Sequence, residues 1–313
     1  MTALYICLGT LAFLLIIILA ASAVTYKMAF YRNPKKHVSN PYSNIDKGAY
    51  AKYSDISRAL IDNVLTIPFE NVYITSADGL RLRGRLYIVS EDAHFIIQFH
   101  GYKSTPMKDF SGAGVMSLDF GYNVIMVDQR AHGESDGRTI CFGGKEKYDC
   151  LCWINYVKER FGEDRRIILQ GISMGAATVL LCSAEKLPDS VVGIMADCPY
   201  SSAEKILCKH IREMGLPPKI FYPLLRLGAI IFGRFDPSKV DVTAAVAKAK
   251  VPILLVHGAA DTFVPCYMSE EIAKTGKTDF HRFHDAEHGI SYLIDTDRYK
   301  SLALNFMNRL LGE

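Results

Sequence analysis

The pattern of apolar and polar positions divides the chain into four parts. An uncharged, apolar stretch of 22 residues runs from Ala3 to Val24, and a polar connector follows it to about residue 66. Beyond that point short apolar runs alternate with stretches in which apolar residues recur every three or four positions, which is typical of strands alternating with helices. Between Cys198 and Lys250 this alternation pauses for about fifty residues. The pattern therefore predicts an α/β domain with one insertion.

Eight strands are predicted after the connector. The turn Ser76–Gly79 makes a hairpin of the first two, and Ser291–Leu311 is predicted to close the chain as a helix. Strands that alternate with helices form a mostly parallel sheet with helices on both faces and its chemistry at the carboxyl ends of the strands. The predicted strands are Asn71–Thr75, Leu80–Val89, Phe95–Phe99, Asn123–Val127, Arg166–Gln170, Val191–Ala196, Val251–Val256 and Asp279–Phe283.

The amino-terminal apolar stretch is long enough for a membrane span. A helix rises about 1.5 Å per residue, so 22 residues cross a hydrocarbon core of about 30 Å. We predict a transmembrane anchor over residues 1–25, a connector over 26–66 with an amphipathic helix around Ala49–Val64, and the main domain over 67–313. The alternative is a cleaved signal peptide, because Ala21-Ser22-Ala23 resembles a cleavage site.

Charge favours the anchor over the signal peptide. No Lys or Arg precedes the apolar stretch, which is also long for a signal core. Cations near the end of a span lie preferentially on the cytoplasmic side, which predicts a single-pass protein with its main domain in the cytoplasm. The cations that follow the stretch are Lys27, Arg32, Lys35 and Lys36.

Composition argues against nucleic-acid binding and metal binding. The 36 basic and 33 acidic residues are scattered and give a net charge of only +3, whereas nucleic-acid binding requires many phosphates to be neutralised together. The eight cysteines form no CxxC pair and no zinc-like spacing with histidine. We therefore expect free thiols, no metal and no organic cofactor.

The strongest chemical signal is the pentapeptide Gly171-Ile172-Ser173-Met174-Gly175, which matches G-x-S-x-G. It lies between a predicted strand and a predicted helix, where a sharp turn exposes the serine hydroxyl at the edge of the sheet. Gly171 and Gly175 are required because a side chain there would collide with neighbouring backbone. The alternative is an ordinary strand-to-helix turn in which Ser173 caps the helix.

With two later loops, this motif resembles the α/β-hydrolase superfamily. His257–Pro265 resembles the loop that carries the catalytic acid in that family, and Asp285–Gly289 resembles its histidine loop. The resemblance implies an α/β-hydrolase fold with Ser173 as nucleophile, Asp261 as acid and His288 as base, in the family's order. The motifs are similar to those of the monoglyceride-lipase and serine-aminopeptidase-like branch over about residues 68–312. That branch includes esterases, lipases, thioesterases and peptidases.

Other acids and bases remain open at this point. Asp285 and Glu287 are the carboxylates nearest to His288 in sequence, and His281 and His284 are alternative bases.

Two further loops resemble family motifs. His100–Ser104 resembles the loop that supplies an oxyanion donor, so the backbone N–H groups of Tyr102 and Met174 are the predicted donors. Asp128–Gly137 resembles the family's D-x-R-G-x-G-x-S loop, with Ala131 in place of the usual glycine. In relatives this loop organises structure beside the site, and we leave it outside the catalytic set.

The insertion, about residues 199–249, is predicted to be a short helical cap. Inserts at this position form lids in many relatives, so it either covers a lipid-like acyl chain or only packs on its own core. The resemblance implies ester hydrolysis through an acyl-enzyme. One alternative is an aminopeptidase, which would need a carboxylate such as Glu204, Glu213 or Asp236 to hold the substrate ammonium; another is a non-catalytic interaction protein that kept the fold.

Overall fold

A computed structural model describes residues 1–33, 40–43 and 45–312. Lys35 and Lys36, two of the cations used to predict orientation, lie outside these residues. The described strands are β1 (Glu70–Thr75), β2 (Arg81–Tyr87), β3 (Phe95–Phe99), β4 (Asn123–Val127), β5 (Ile167–Ile172), β6 (Val191–Asp197), β7 (Ile253–Gly258) and β8 (Thr278–Phe283).

These strands form one sheet in the order β1-β2-β4-β3-β5-β6-β7-β8. β2 runs antiparallel to both β1 and β4, and every other neighbouring pair is parallel. The predicted fold class, an eight-stranded and mostly parallel sheet, is confirmed.

Three strands reach further toward the site than the apolar pattern indicates, β6 by the single residue Asp197 and β5 and β7 by two residues each. β5 ends at Ile172 rather than Gln170, and β7 ends at Gly258 rather than Val256. Both extensions are held by pairing with a neighbouring strand, Ile172 opposite Asp197 and Gly258 opposite Phe283. Pairing between neighbouring strands therefore determines the residue at which each functional loop begins, and the apolar pattern does not indicate this pairing.

Helices cover both faces of the sheet. Alternate residues of a strand point to opposite faces, and accordingly Phe95 and Ile97 of β3 belong to one apolar cluster while Ile96 belongs to a second. The described helices are α1 (Thr2–Ala29), α2 (Ser54–Thr66), α3 (Pro106–Asp109), α4 (Ala113–Asp119), α5 (Glu146–Phe161), α6 (Met174–Cys182), α7 (Ala203–Glu213), α8 (Pro218–Gly228), α9 (Val242–Val246), α10 (Tyr267–Ala273), α11 (Ser291–Ile294) and α12 (Thr296–Leu311). The first cluster contains side chains of α1, α5, α6, α10 and the insertion, and the second contains side chains of α2, α3, α4 and α12.

The closing helix is divided, where the sequence pattern predicts one continuous helix. Asp295 interrupts it between α11 and α12, and its carboxylate accepts a hydrogen bond from the backbone N–H of Arg298 at 3.1 Å. Aspartate is a preferred residue at this position because it satisfies an N–H group that lacks a partner inside the helix.

The amino-terminal helix is longer than the apolar stretch that predicts it. In the described part of the chain, α1 is the one helix long and apolar enough to cross a membrane. Residues 1–20 are exposed, whereas the last turns pack against α8. The insertion folds as α7, α8, a π-helical turn over Ala229–Gly233, a short 3-10 turn and α9. α1 therefore continues directly from a membrane-length segment onto this cap.

Candidate active site

Ser173 occupies the sharp turn between β5 and α6. Its backbone, at φ 56° and ψ −117°, lies in a region that residues other than glycine rarely adopt. Such backbone strain is concentrated at functional sites. A side chain at Gly175 would overlap the backbone carbonyl of Phe99, and one at Gly171 would collide with the backbone of Gly175. Met174 is the first residue of α6, where N–H groups have no partner inside the helix and point toward the site.

The structure brings the three predicted side chains together. Nε2 of His288 lies 2.9 Å from Oγ of Ser173, and Nδ1 of the same ring lies 2.7 Å from Oδ2 of Asp261. Asp261 follows β7 and His288 follows β8, so residues distant in sequence meet at the carboxyl edge of the sheet. The Asp261 side chain is fully buried, while the His288 side chain is 19% exposed. In this arrangement the imidazole of His288 can accept the serine proton, while the buried carboxylate orients the ring and stabilises its charged form.

Asp261 is held as an anion by four donors. Its Oδ1 accepts the backbone N–H groups of Phe263 at 2.9 Å and Val264 at 2.8 Å. Its Oδ2 faces His288 and also Nε2 of His257, at 3.1 Å. Burial acts to raise the pKa of the Asp261 carboxyl, but hydrogen bonds with His257 and His288 outweigh it and lower that pKa to about 2. The group is therefore ionised throughout the neutral range.

His257 belongs to this site, although the sequence predicts no catalytic role for it. The ring is fully buried, and its Nδ1 lies 2.6 Å from Oγ of Ser269 while Nε2 lies 2.8 Å from the carbonyl oxygen of Val264. These hydrogen bonds fix the position of the loop that carries Asp261. Its position at the end of a buried strand, four residues before Asp261, was the signal that could have indicated this.

The alternative acids and bases lie elsewhere. Asp285 and His284 are exposed, and His281 on β8 is paired with Asp279 at 2.8 Å. Glu287 lines a polar cavity, but Nδ1 of His288 is hydrogen-bonded to Asp261. The geometry therefore favours the predicted set over these alternatives.

The loop after β3 is fixed by bonds on both sides of Tyr102. The N–H of Gly101 donates to Asp109 at 2.7 Å, and the N–H of Lys103 donates to Nε2 of His132 at 3.1 Å. These bonds engage the two flanking N–H groups and leave that of Tyr102 as the candidate oxyanion donor. Its phenol hydroxyl donates to the carbonyl oxygen of Ala29 in α1 at 2.7 Å, a contact that the sequence analysis missed.

The Asp128–Gly137 loop is structural in its contacts. Arg130 is buried and lies 2.6 Å from the buried Asp149 and 2.9 Å from Asp78. Ala131, which stands where relatives have glycine, has φ 61°, the left-handed conformation that favours glycine. None of these side chains is hydrogen-bonded to Ser173 or His288 among the described residues.

Two cavities meet at Ser173. The first has a volume of about 520 Å³, within the range of small-molecule sites, and is lined mostly by apolar side chains from α1, the cap and the core. The second, of about 480 Å³, is more polar and is formed partly by the connector. Besides Ser173 and His288, its polar and charged lining residues are Lys47, Tyr50, Tyr102, Ser104, Lys108, Asp109, Thr262 and Glu287. A substrate bound across Ser173 would thus have one apolar end and one polar end.

Within the described residues one group has the composition to share a metal ion. Ligand atoms of Cys198, Asp261 and His288 lie within 4.8 Å of one another. Two of these atoms are already hydrogen-bonded to each other, which fits a proton relay better than metal coordination.

Comparisons with known proteins agree with this architecture. A family model described as the alpha/beta hydrolase fold matches residues 107–218. An esterase from Pyrococcus furiosus, Pf2001, superposes with a TM-score of 0.65 at 23% identity, over 79% of this chain and 93% of that one. The chain has the α/β-hydrolase fold.

This chain is similar in sequence to two proteins of different kinds. YqkD of Bacillus subtilis, an uncharacterised protein, is 27% identical over 240 residues, 76% of this chain and 78% of the relative. AneE of Aspergillus aculeatus, a thiohydrolase, is 28% identical over 138 residues, 43% of each chain. The fold and the thiohydrolase relative support hydrolase activity on a small molecule. Assignment to the monoglyceride-lipase and aminopeptidase-like branch stays a prediction.

Proposed function

We propose that this α/β hydrolase is a membrane-anchored serine hydrolase that cleaves carboxylic esters, with a lipid-like or otherwise acylated molecule as substrate. The observation that carries the proposal is the chain of hydrogen bonds from Ser173 through His288 to Asp261, at 2.9 and 2.7 Å, where an apolar cavity meets a polar one.

In the proposed mechanism Ser173 attacks the ester carbonyl while His288 takes the hydroxyl proton. A serine hydroxyl is a weak nucleophile at neutral pH, so the base is required, and ionised Asp261 stabilises the imidazolium that forms. The N–H groups of Tyr102 and Met174 receive the negative charge of the tetrahedral intermediate, each contributing about 3 kcal/mol on the usual scale. His288 then protonates the leaving alcohol, and a water that it activates releases the acid.

The two cavities support an ester with unlike ends. An acyl chain gains free energy by leaving water for the apolar cavity, roughly 0.8 kcal/mol per buried methylene. The polar cavity suits the leaving alcohol and the incoming water.

None of the three cap carboxylates that the peptidase alternative could use for the substrate ammonium lines the apolar cavity. Glu204, Glu213 and Asp236 all lie outside the apolar cavity lining, and each has a partner. Glu204 accepts from Tyr222 at 3.3 Å, Glu213 pairs with Lys209 at 2.7 Å, and Asp236 pairs with Arg226 at 2.7 Å.

The contacts of α1 support an uncleaved anchor. Ser22 and Tyr26 are buried against the domain, and the Tyr26 hydroxyl lies 2.7 Å from Oγ1 of Thr139. Cleavage near Ala23 would remove Ser22 from this packing. Lys27 and Arg32 after the apolar stretch favour a cytoplasmic domain. Resistance of the full chain to carbonate extraction, with the domain protected in right-side-out vesicles, tests both points.

The activity is tested by replacing the nucleophile. Ser173→Ala should lower kcat for p-nitrophenyl butyrate by about 10⁴-fold or more while the melting temperature stays within a few degrees. Ser183→Ala, at the other end of α6, is the matched control and should keep kcat within about twofold, since Ser183 only binds the Leu180 carbonyl. Equal activity of wild type and Ser173→Ala would overturn the proposal.

A further inference from the structure

The end of α1 is a wall of the apolar cavity. Ala21, Val24, Thr25 and Met28 line it, and their spacing of three and four residues places them on one face of the helix. Ser173 and Met174 lie in the lining of the same cavity. The membrane-length helix therefore contributes directly to the space beside the nucleophile.

This wall is fixed to the cap by close packing. Gly228 of α8 has no room for a side chain, because the carbonyl of Ser22 and Cβ of Tyr26 occupy the position that its Cβ would take. Such contact between helix backbones requires glycine. Phe30, just after α1, is fully buried between Phe142 and Phe235. α1 is thus built into the domain rather than joined to it by a flexible tether.

The cavity is open along α1. Val24 and Met28 line it and yet are 58% and 56% exposed, so its mouth lies beside these two side chains. Ala21 and Val24 also belong to the 22-residue apolar stretch that spans the membrane in the proposed function. The mouth therefore begins at the depth where the hydrocarbon of the bilayer ends.

The neighbouring face of the cap is apolar as well. Four large side chains on α8 and the π-helical turn are between 40% and 60% exposed: Ile220, Ile230, Ile231 and Phe232. The Phe232 ring lies 5.7 Å from the Tyr26 ring, which places this patch beside α1. Exposed apolar patches next to a membrane span are stabilised by contact with lipid rather than water.

We propose that the acyl chain of the substrate enters from the bilayer, passing along α1 between Val24 and Met28 and the cap, so that α1 selects for esters dissolved in the membrane. The inference rests on the proposed function, since it concerns the route to Ser173. A volume of about 520 Å³ with a mostly apolar lining suits an acyl chain longer than butyrate. The substrate class is then a membrane lipid ester.

The test compares a short and a long ester with the full chain in phosphatidylcholine vesicles. Val24→Trp or Met28→Trp narrows the mouth, so the ratio of kcat/KM for p-nitrophenyl dodecanoate to kcat/KM for the butyrate should fall about tenfold or more. Ala20→Trp is the matched control, because Ala20 is exposed on the same helix and lies outside the cavity lining, and it should leave both esters unchanged.

A charge on the cap tests the membrane contact separately. Ile231→Glu should lower turnover of the dodecanoate in vesicles about tenfold and leave turnover of the butyrate unchanged. A carboxylate is costly to bring into contact with lipid, so the variant weakens the contact between the cap and the membrane. Ile56→Glu, at a similarly exposed isoleucine on α2, should lower the turnover of neither ester.

The outcomes separate the two proposals. If wild type cleaves neither ester, the proposed function fails. If wild type cleaves both esters but the tryptophan variants leave the ratio of the two kcat/KM values unchanged, the route along α1 is overturned and the proposed function stands.

Discussion

Replacing Asp261 by asparagine changes one atom of the proposed relay. Oδ1 of Asp261 accepts two backbone N–H groups, from Phe263 and Val264, so the amide oxygen of asparagine will take that place. The amide nitrogen then occupies the position of Oδ2 and donates to Nδ1 of His288, which lies 2.7 Å away in the wild type. The ring must carry its proton on Nε2, facing Ser173, and can no longer accept the hydroxyl proton.

The expected loss follows from this wrong tautomer. Where an asparagine holds the histidine of such a triad in that form, kcat falls about 10⁴-fold, and each tenfold step corresponds to about 1.4 kcal/mol of activation free energy. Asp261→Asn should therefore raise the barrier by about 5 kcal/mol. KM for the ester should change little, because Asp261 is fully buried behind His288.

The assay is steady-state hydrolysis of p-nitrophenyl butyrate at pH 7.5, with melting temperature in detergent as the check on folding. Glu287→Gln is the matched control, since Glu287 is next to His288 in sequence but has no place in the relay, and it should keep kcat within about threefold. A folded Asp261→Asn protein within tenfold of wild-type kcat, or an equal loss in Glu287→Gln, would refute the reasoning.

Two further predictions concern stability. Arg130→Met leaves Asp149 buried without its partner and should lower the free energy of unfolding by about 3–5 kcal/mol, while Arg160→Met at an exposed pair should cost under about 1 kcal/mol; equal losses in denaturant melts would contradict this. Burial raises the pKa of the Asp197 carboxyl from 3.8 to about 6, so its protonated form stabilises the folded state and this stabilisation is lost as pH rises through about 6. The free energy of unfolding of Asp197→Asn, relative to that of wild type, should therefore rise between pH 4 and pH 8 by at most about 3 kcal/mol. A difference between the two proteins that does not depend on pH would argue against this.

Local sequence patterns predicted the sheet and the residues that meet at its edge. Ser173 could be identified because its turn demands glycine at 171 and 175, and the structure accounts for both by direct collision with backbone. Asp261 and His288 were predicted because their loops resemble those of the α/β-hydrolase family, and in the structure each follows a strand whose carboxyl end reaches the same edge. Their roles in catalysis stay a proposal until they are tested.

The walls of the site could not be predicted, because they depend on contacts between distant segments. Ser22 meets Gly228, and the hydroxyl of Tyr50 in the connector donates to the carbonyl oxygen of Gly289 at 3.1 Å. Neither segment shows a pattern that indicates its partner. Neither the anchor nor the connector is predicted from its sequence to reach the site, whereas both line cavities at Ser173.

The most direct test is covalent labelling of the full chain with a fluorophosphonate, followed by peptide mass spectrometry. Only an activated serine reacts quickly with this reagent, so the account predicts one adduct, on Ser173, and a labelling rate lowered at least about 100-fold in His288→Ala. An unlabelled wild-type protein, or labelling of Ser173 that persists at the same rate without His288, would contradict it.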